Sequence, residues 1–172
     1  MDFAQIIRER YSVRAYRPDP IEPQKLERVL EAGLLAPSAA NRQPLRFIVA
    51  DMSERREEMA GVYNRDWFLQ APLLLVVCGV PEEAWVRGDG FNSVQVDAAI
   101  AMDHMILAAT EEGLGTCWIS SFDIQAARKA FNLPADVEPI VMTPLGYADD
   151  QPMKKVRKPK EALFFEERLP EG

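Results

Sequence analysis

The run Leu73-Leu74-Leu75-Val76-Val77-Cys78-Gly79 constrains this chain more than any other stretch. Seven residues without a polar side chain, punctuated by Ala71-Pro72 before and Pro81 after, read as its clearest buried strand. Leu45 to Ala50 reads as a second strand, with Phe47, Ile48 and Val49 as a near-continuous buried run. Thr116 to Ile119 is a short strand. Val137 to Tyr147 is the last core strand, and its Pro139 and Pro144 suggest an edge or a bulge.

Between the strands the apolar period lengthens to that of helices. Asp2 to Glu9 is a short helix with Phe3, Ile6 and Ile7 on one face. Pro23 opens a helix to about Leu35, whose stripe is Leu26, Val29, Leu30, Gly33 and Leu34. Ser53 begins a charged helix, and a shorter helical piece spans about Asn64 to Gln70. The longest helix, Asn92 to Glu112, is apolar or small around most of its circumference, which suits packing on several sides or across a subunit boundary. Gly113 ends it as a C-cap, and Ile124 to Phe131 forms the last helix. Pro81 to Phe91 is the least regular part, either a lid over a site or a surface connection.

A length of 172 residues fits one domain spanning 1–172, large enough to bury a core without staples. The net charge of -7 argues against nucleic acid, whose binding rests on Lys and Arg neutralising phosphates. Cys78 and Cys117 lie far apart, and the single His104 cannot complete a metal set with them. Both thiols sit in apolar surroundings and read as reduced core residues of a cytoplasmic protein. Met1 to Glu9 has no apolar leader core, and no segment approaches the length of a membrane span. The expected partners are therefore neither nucleic acid nor membrane.

Four polar stretches interrupt this apolar framework. In Arg10-Tyr11-Ser12-Val13-Arg14, an extended backbone projects Arg10, Ser12 and Arg14 to one side, an anion-ready ladder or a solvated basic segment. Ala36-Pro37-Ser38-Ala39-Ala40-Asn41-Arg42-Gln43-Pro44 is a stiff small-residue loop rich in amides. It is either a plain connector or a floor that a flat polar ligand can approach. Ser120-Ser121 precedes a helix start and reads as cap serines or as a place where backbone N–H groups meet a heteroatom. Lys154-Lys155-Val156-Arg157-Lys158-Pro159-Lys160 is the densest basic run, followed by Leu163-Phe164-Phe165. Two adjacent phenylalanines in a tail need cover, most simply from a partner subunit.

Together these stretches resemble the FMN-dependent nitroreductase family over nearly the whole chain and in the same order. The marks are Glu9-Arg10-Tyr11-Ser12-Val13-Arg14, Ala36 to Pro44, Gly113-Leu114-Gly115-Thr116-Cys117-Trp118-Ile119, Pro144-Leu145-Gly146-Tyr147 and Arg157-Lys158-Pro159. The resemblance implies an α+β fold, a three-layer α-β-α sandwich with a mostly antiparallel sheet. It implies a homodimer formed through the long helix, with C-terminal tails exchanged and FMN at the interface. Arg10, Tyr11 and Ser12, with Lys155 and Arg157, would hold the phosphate and ribityl chain, and Arg14 would lie by the pyrimidine edge. Pro37, Ser38, Ala39 and Asn41 would serve the cofactor of the other subunit. Ile119, Ser120 and Ser121 would approach N5 and O4, with Asn64 as a further ring contact.

The implied activity is an NADH- or NADPH-dependent oxidoreductase working by a ping-pong mechanism. The cofactor takes hydride at N5 and then reduces a small acceptor such as a nitroaromatic or quinone, with no metal and no catalytic side chain beyond electrostatic support from Arg14. The same scaffold also suits an ene-reductase, a dehalogenase, a flavin-fragmenting enzyme, or a flavin-binding protein with little turnover. Trp67 stands where some members carry a lysine facing the flavin, and Leu45 follows Pro44 where a tryptophan is frequent.

Overall fold

The apolar run becomes β2 (Leu73–Gly79), flanked by β1 (Leu45–Asp51) on one side and β4 (Glu138–Gly146) on the other. The two-residue β3 (Gly115–Thr116) completes the order β1-β2-β4-β3, and every pairing is antiparallel. The computed structural model describes residues 1–169. Helices α1 (Phe3–Glu9), α2 (Pro23–Leu34), α3 (Arg56–Val62), α4 (Val94–Glu111) and α5 (Ile124–Ala130) surround the sheet.

Alternate side chains of β2 enter two separate cores, which is why the run tolerates no polar residue. Leu74, Val76 and Cys78 pack with Met59 and Val62 of α3 and Ala127 of α5. Leu75 and Val77 pack with Val29 of α2 and Ala98, Met102, Met105 and Ile106 of α4. Each buried Leu or Val contributes about 1.5–3 kcal/mol by leaving water. The result is an α+β sandwich with helices on both faces of the sheet.

Several local expectations need correction. Phe47 and Val49 of β1 are exposed rather than buried, because α2 and α4 pack over the middle of the sheet and leave its first edge open. Leu34, assigned to the buried stripe of α2, is 74% exposed at the last turn. Ser53 does not start α3; its N–H and hydroxyl both bond Asp51 Oδ1, a local turn that delays the helix to Arg56. The helical piece before β2 shrinks to a 3₁₀ turn at Phe68–Gln70.

The prolines of β4 find the bulge that was expected, although the strand is interior. Val77 opposes Val141 while Cys78 opposes Pro139, so Ile140 is the extra residue. Met142 N–H bonds Ile119 O, so Pro144 turns its missing donor to that same, sparsely paired side. There the ladder is already broken, since Cys117 N–H bonds the Thr143 hydroxyl instead. This interruption limits the expected strand Thr116–Ile119 to Gly115–Thr116 plus one bridge at Ile119.

Helix α4 is apolar on two sides. Ala98, Ala101, Met102, Met105 and Ile106 are buried inward, whereas Val96, Ile100 and Leu107 form a second stripe that this chain covers only partly. The tail from Gln151 to Leu169 is exposed throughout, with Phe164 at 69% and Phe165 at 47%. Among the described residues, no helix is long and apolar enough to cross a membrane.

Candidate functional site

The N-terminal ladder is laced between β3 and the root of the tail. Val13 N–H bonds Thr116 O, and Ser12 bridges Thr116 in parallel. On the other side Arg17 N–H bonds Tyr147 O and Asp149 N–H bonds Ala15 O, with an antiparallel bridge from Tyr16 to Ala148. Val13 and Tyr16 point into the protein, so their neighbours in sequence face outward. Gly115 is needed here, because a Cβ on it would stand 2.7 Å from Val13 Cγ2.

Asp150 closes the arrangement. Tyr11 donates its hydroxyl to Asp150 Oδ1 at 2.9 Å, and the Arg14 backbone N–H donates to Oδ2 at 2.8 Å. Burial, then the hydrogen bond and charge of Asp150, push the Tyr11 phenol up to about 12, so it remains a donor. The tail root is thereby pinned beside the ladder, and Lys155 Nζ reaches back to the carbonyls of Ile7 and Arg8 at the end of α1.

These ties form one cavity of about 440 Å³, lined by Arg10, Tyr11, Ser12 and Arg14 from the ladder and by Lys155 and Arg157 from the tail. All six were singled out from sequence, and the structure brings them together across some 140 residues of chain. Partial burial, then the charges of Arg10 and Arg157, hold the Lys155 ammonium below its ordinary range. Three cations are thus crowded together. Asp150, also in the wall, has both carboxylate oxygens already occupied by Tyr11 and Arg14.

The other expected site residues stand apart from this cavity. Pro37, Ser38, Ala39 and Asn41 lie on a loop containing a 3₁₀ turn, Ala39–Asn41. Ala40, Asn41 and Gln43 all have positive φ, 49°, 53° and 52°, at a cost of about 1–2 kcal/mol per ordinary residue. Gln43 N–H bonds Ser38 Oγ, and Ala39 N–H bonds the buried carboxylate of Asp97. Asn64 is exposed on the turn after α3.

Ile119 is buried, whereas Ser120 and Ser121 are exposed. Neither serine caps α5; Asp123 does, accepting from Ala126 N–H, while Ser120 Oγ accepts from Trp118 Nε1 at 2.7 Å. Ser120 and Trp118 line a separate groove of about 820 Å³ with residues of α4 and α5. Trp67 is half-buried, and the Arg14 guanidinium stands over its ring at 6.0 Å.

A nitroreductase family model matches residues 7–62 and 55–147, a span that includes the ladder, the left-handed loop and all four strands. The chain belongs to the nitroreductase family. A nitroreductase family protein of Clostridium difficile superposes with a TM-score of 0.91 at 35% identity, covering 98% of this chain and 100% of that one. A Desulfovibrio desulfuricans protein crystallised in complex with FMN superposes with a TM-score of 0.83 at 27% identity, covering 99% of each chain. The FMN reductase [NAD(P)H] of Bacillus subtilis is 31% identical over 175 residues, covering 91% of this chain and 70% of the relative. This chain is accordingly an oxidoreductase of the FMN- and NAD(P)H-dependent nitroreductase type.

The residues of this nitroreductase-family chain fit that cofactor class. A phosphate monoester carries about -1.5 to -2 charges at neutral pH, which suits a cluster of Arg10, Lys155 and Arg157 in which burial, then the two guanidinium charges, depresses Lys155. Among the described residues, no group of three or more metal-ligating side chains is assembled. Two members of the site were missed in the sequence. Asp150 could have been found as an acid beside a basic run; Asp97 was hidden as one of several polar residues on the longest helix.

Proposed function

We propose that two copies of this chain form a homodimer with two FMN sites at the interface. The dimer would pass electrons from NADH or NADPH to small acceptors such as nitroaromatics or quinones by a ping-pong mechanism. The observation that carries this reading is the convergence of the ladder and the tail root on one basic cavity. Arg10, Lys155 and Arg157 bind the phosphate, and the Ser12 hydroxyl adds a neutral donor. Tyr11 orients the cavity wall through Asp150 rather than giving its hydroxyl to the ligand. Arg14, steadied over Trp67, places a fixed positive charge by the pyrimidine edge, where it favours the reduced form.

Bound there, FMN supplies hydride-accepting and electron-donating chemistry at N5. The backbone at Ile119, Ser120 and Ser121, together with Asn64, borders the ring. Pro37 of the partner subunit, Ser38 of the partner subunit, Ala39 of the partner subunit and Asn41 of the partner subunit form the facing wall. The geometry favours such a division because the loop does not line the basic cavity of its own chain. The partly covered outer stripe of α4 and the uncovered Phe164 and Phe165 supply apolar surface for pairing and for tail exchange. Free, buried Cys78 and Cys117 suit a cytoplasmic setting, and residues 1–172 act as one domain.

Purification with flavin analysis tests this reading. The expected result is a yellow dimer carrying one FMN per chain, bleached by NADH or NADPH and reoxidised by menadione. Colourless protein that takes up no added FMN refutes it.

A further inference from the structure

We propose that Asp97 is a positioning residue: through the N–H of Ala39 it fixes the loop that each copy offers to its partner's cofactor. The proposal rests on the shared-site reading above. Asp97 sits in the first turn of α4, is 1% exposed, and is the one carboxylate fully buried among the described residues. Its Oδ1 accepts from Ala39 N–H at 2.9 Å and its Oδ2 from the Ser93 hydroxyl at 3.1 Å. A buried carboxylate with only two partners is an expensive way to hold a fold together. It is an effective way to hold one N–H in one place, because both of its oxygens act here as acceptors.

The loop needs such a tie. Ser38 Oγ, Asn41 and Gln43 bond only within the loop, as do Asn41 N–H to Ser38 O and Arg42 N–H to Ala39 O. Among the described residues, the Ala39–Asp97 bond is the hydrogen bond between Pro37 and Gln43 that reaches another element. The left-handed residues begin immediately after it, at Ala40. Val96 and Ile100, on the outward stripe of α4, flank Asp97 in the same helix. The loop is therefore registered to the helix proposed to form the subunit interface, and the placement of Pro37, Ser38 and Asn41 follows the placement of α4.

Asparagine can replace both bonds, accepting from Ala39 N–H and donating to Ser93 Oγ; leucine can replace neither. The test titrates FMN and riboflavin into full-length apo protein by flavin fluorescence, with size-exclusion chromatography and visible circular dichroism of the bound flavin. Asp97→Leu is expected to stay dimeric, to weaken FMN and riboflavin by the same factor of about ten, and to alter the flavin dichroism. Asp97→Asn restores both affinities to within about threefold of the parent. Arg157→Ala, by contrast, weakens FMN alone. If Asp97→Leu fails to fold, Ser93→Ala replaces it: half the anchor is gone, and the same parallel loss is expected at about threefold.

A folded, dimeric Asp97→Leu with parental affinity and dichroism overturns the proposal, as does loss of affinity in Asp97→Asn equal to that in Asp97→Leu. Loss of FMN only through loss of the dimer also overturns it. If the parent protein itself takes up neither flavin, the shared-site reading falls first.

Discussion

The basic cavity and the left-handed loop are built on opposite principles. The cavity is assembled within one chain: ladder, β3 and tail root are stitched by backbone bonds, and its cations already face one another. The loop is strained, largely exposed and held by one buried carboxylate, and it does not line the basic cavity. A region that stores strain without a local use points to a use elsewhere. The difference underlies the proposal that the phosphate end of the site belongs to one chain, while the ring end is finished by a second.

The largest effect that separates these halves comes from the tail beyond the cavity. Ending the chain after Lys158 keeps Lys155 and Arg157 but removes Leu163, Phe164 and Phe165. At about 1.5–3 kcal/mol for each apolar side chain buried on pairing, the truncated chain is expected to be monomeric by light scattering. It is also expected to bind FMN at least about 100-fold more weakly. A dimer that keeps its flavin would show that the tail is not exchanged.

Next in size is Arg157→Ala, which removes a charge-assisted contact from the cavity alone. FMN affinity is expected to fall about 10- to 100-fold, with riboflavin unaffected and the dimer intact. Equal FMN binding by the variant in equilibrium dialysis would remove the tail from the phosphate site.

Gly115→Ala sharpens the stitching of the cavity rather than its charge. The new Cβ meets Val13 Cγ2 at 2.7 Å and Cβ at 3.1 Å, in a place where the ladder has hydrogen bonds on both sides. Urea unfolding is expected to show a loss of about 1–3 kcal/mol. An unchanged midpoint would mean that the ladder is not tightly seated on β3.

The smallest effect is a pH dependence. The Lys155 ammonium is held below its ordinary range by burial and by Arg10 and Arg157. A bound phosphate favours the charged form and moves it back up. As pH rises the empty site loses this proton first, so FMN affinity is expected to decline at pH values below the ordinary lysine pKa of about 10.4. Lys155→Met should weaken binding at neutral pH and flatten that decline. A decline of the same slope in the variant would assign it to another group.

What could be read from sequence follows from how local each signal is. The β2 run, the Gly113 stop and the bulge at the prolines are carried by adjacent residues, and all appear in the fold. Each basic stretch was legible alone, but their meeting depends on backbone bonds between residues 13–17 and 116 or 147–149, which no local pattern encodes. Phe47 and Val49 were misplaced because an apolar β-branched and aromatic run looks the same on a covered strand as on an edge. Ser53, Ser120 and Ser121 were misread as possible caps because a serine serves a turn, a side-chain partner or a helix start equally well. Asp97 escaped notice since its partner lies 58 positions away.

The sharing of one site between two chains is tested most directly by complementation. Arg157→Ala damages the phosphate end, and Ser38→Trp blocks the loop; each homodimer alone is expected to hold FMN poorly. Co-expressing the two with different affinity tags and isolating the mixed dimer gives one site in which Arg157 and the loop are both intact, if they come from different chains. The expected result is one tightly bound FMN per mixed dimer, reducible by NADH or NADPH. A mixed dimer that binds FMN no better than either parent would place loop and cavity in the same chain's site and contradict the shared site.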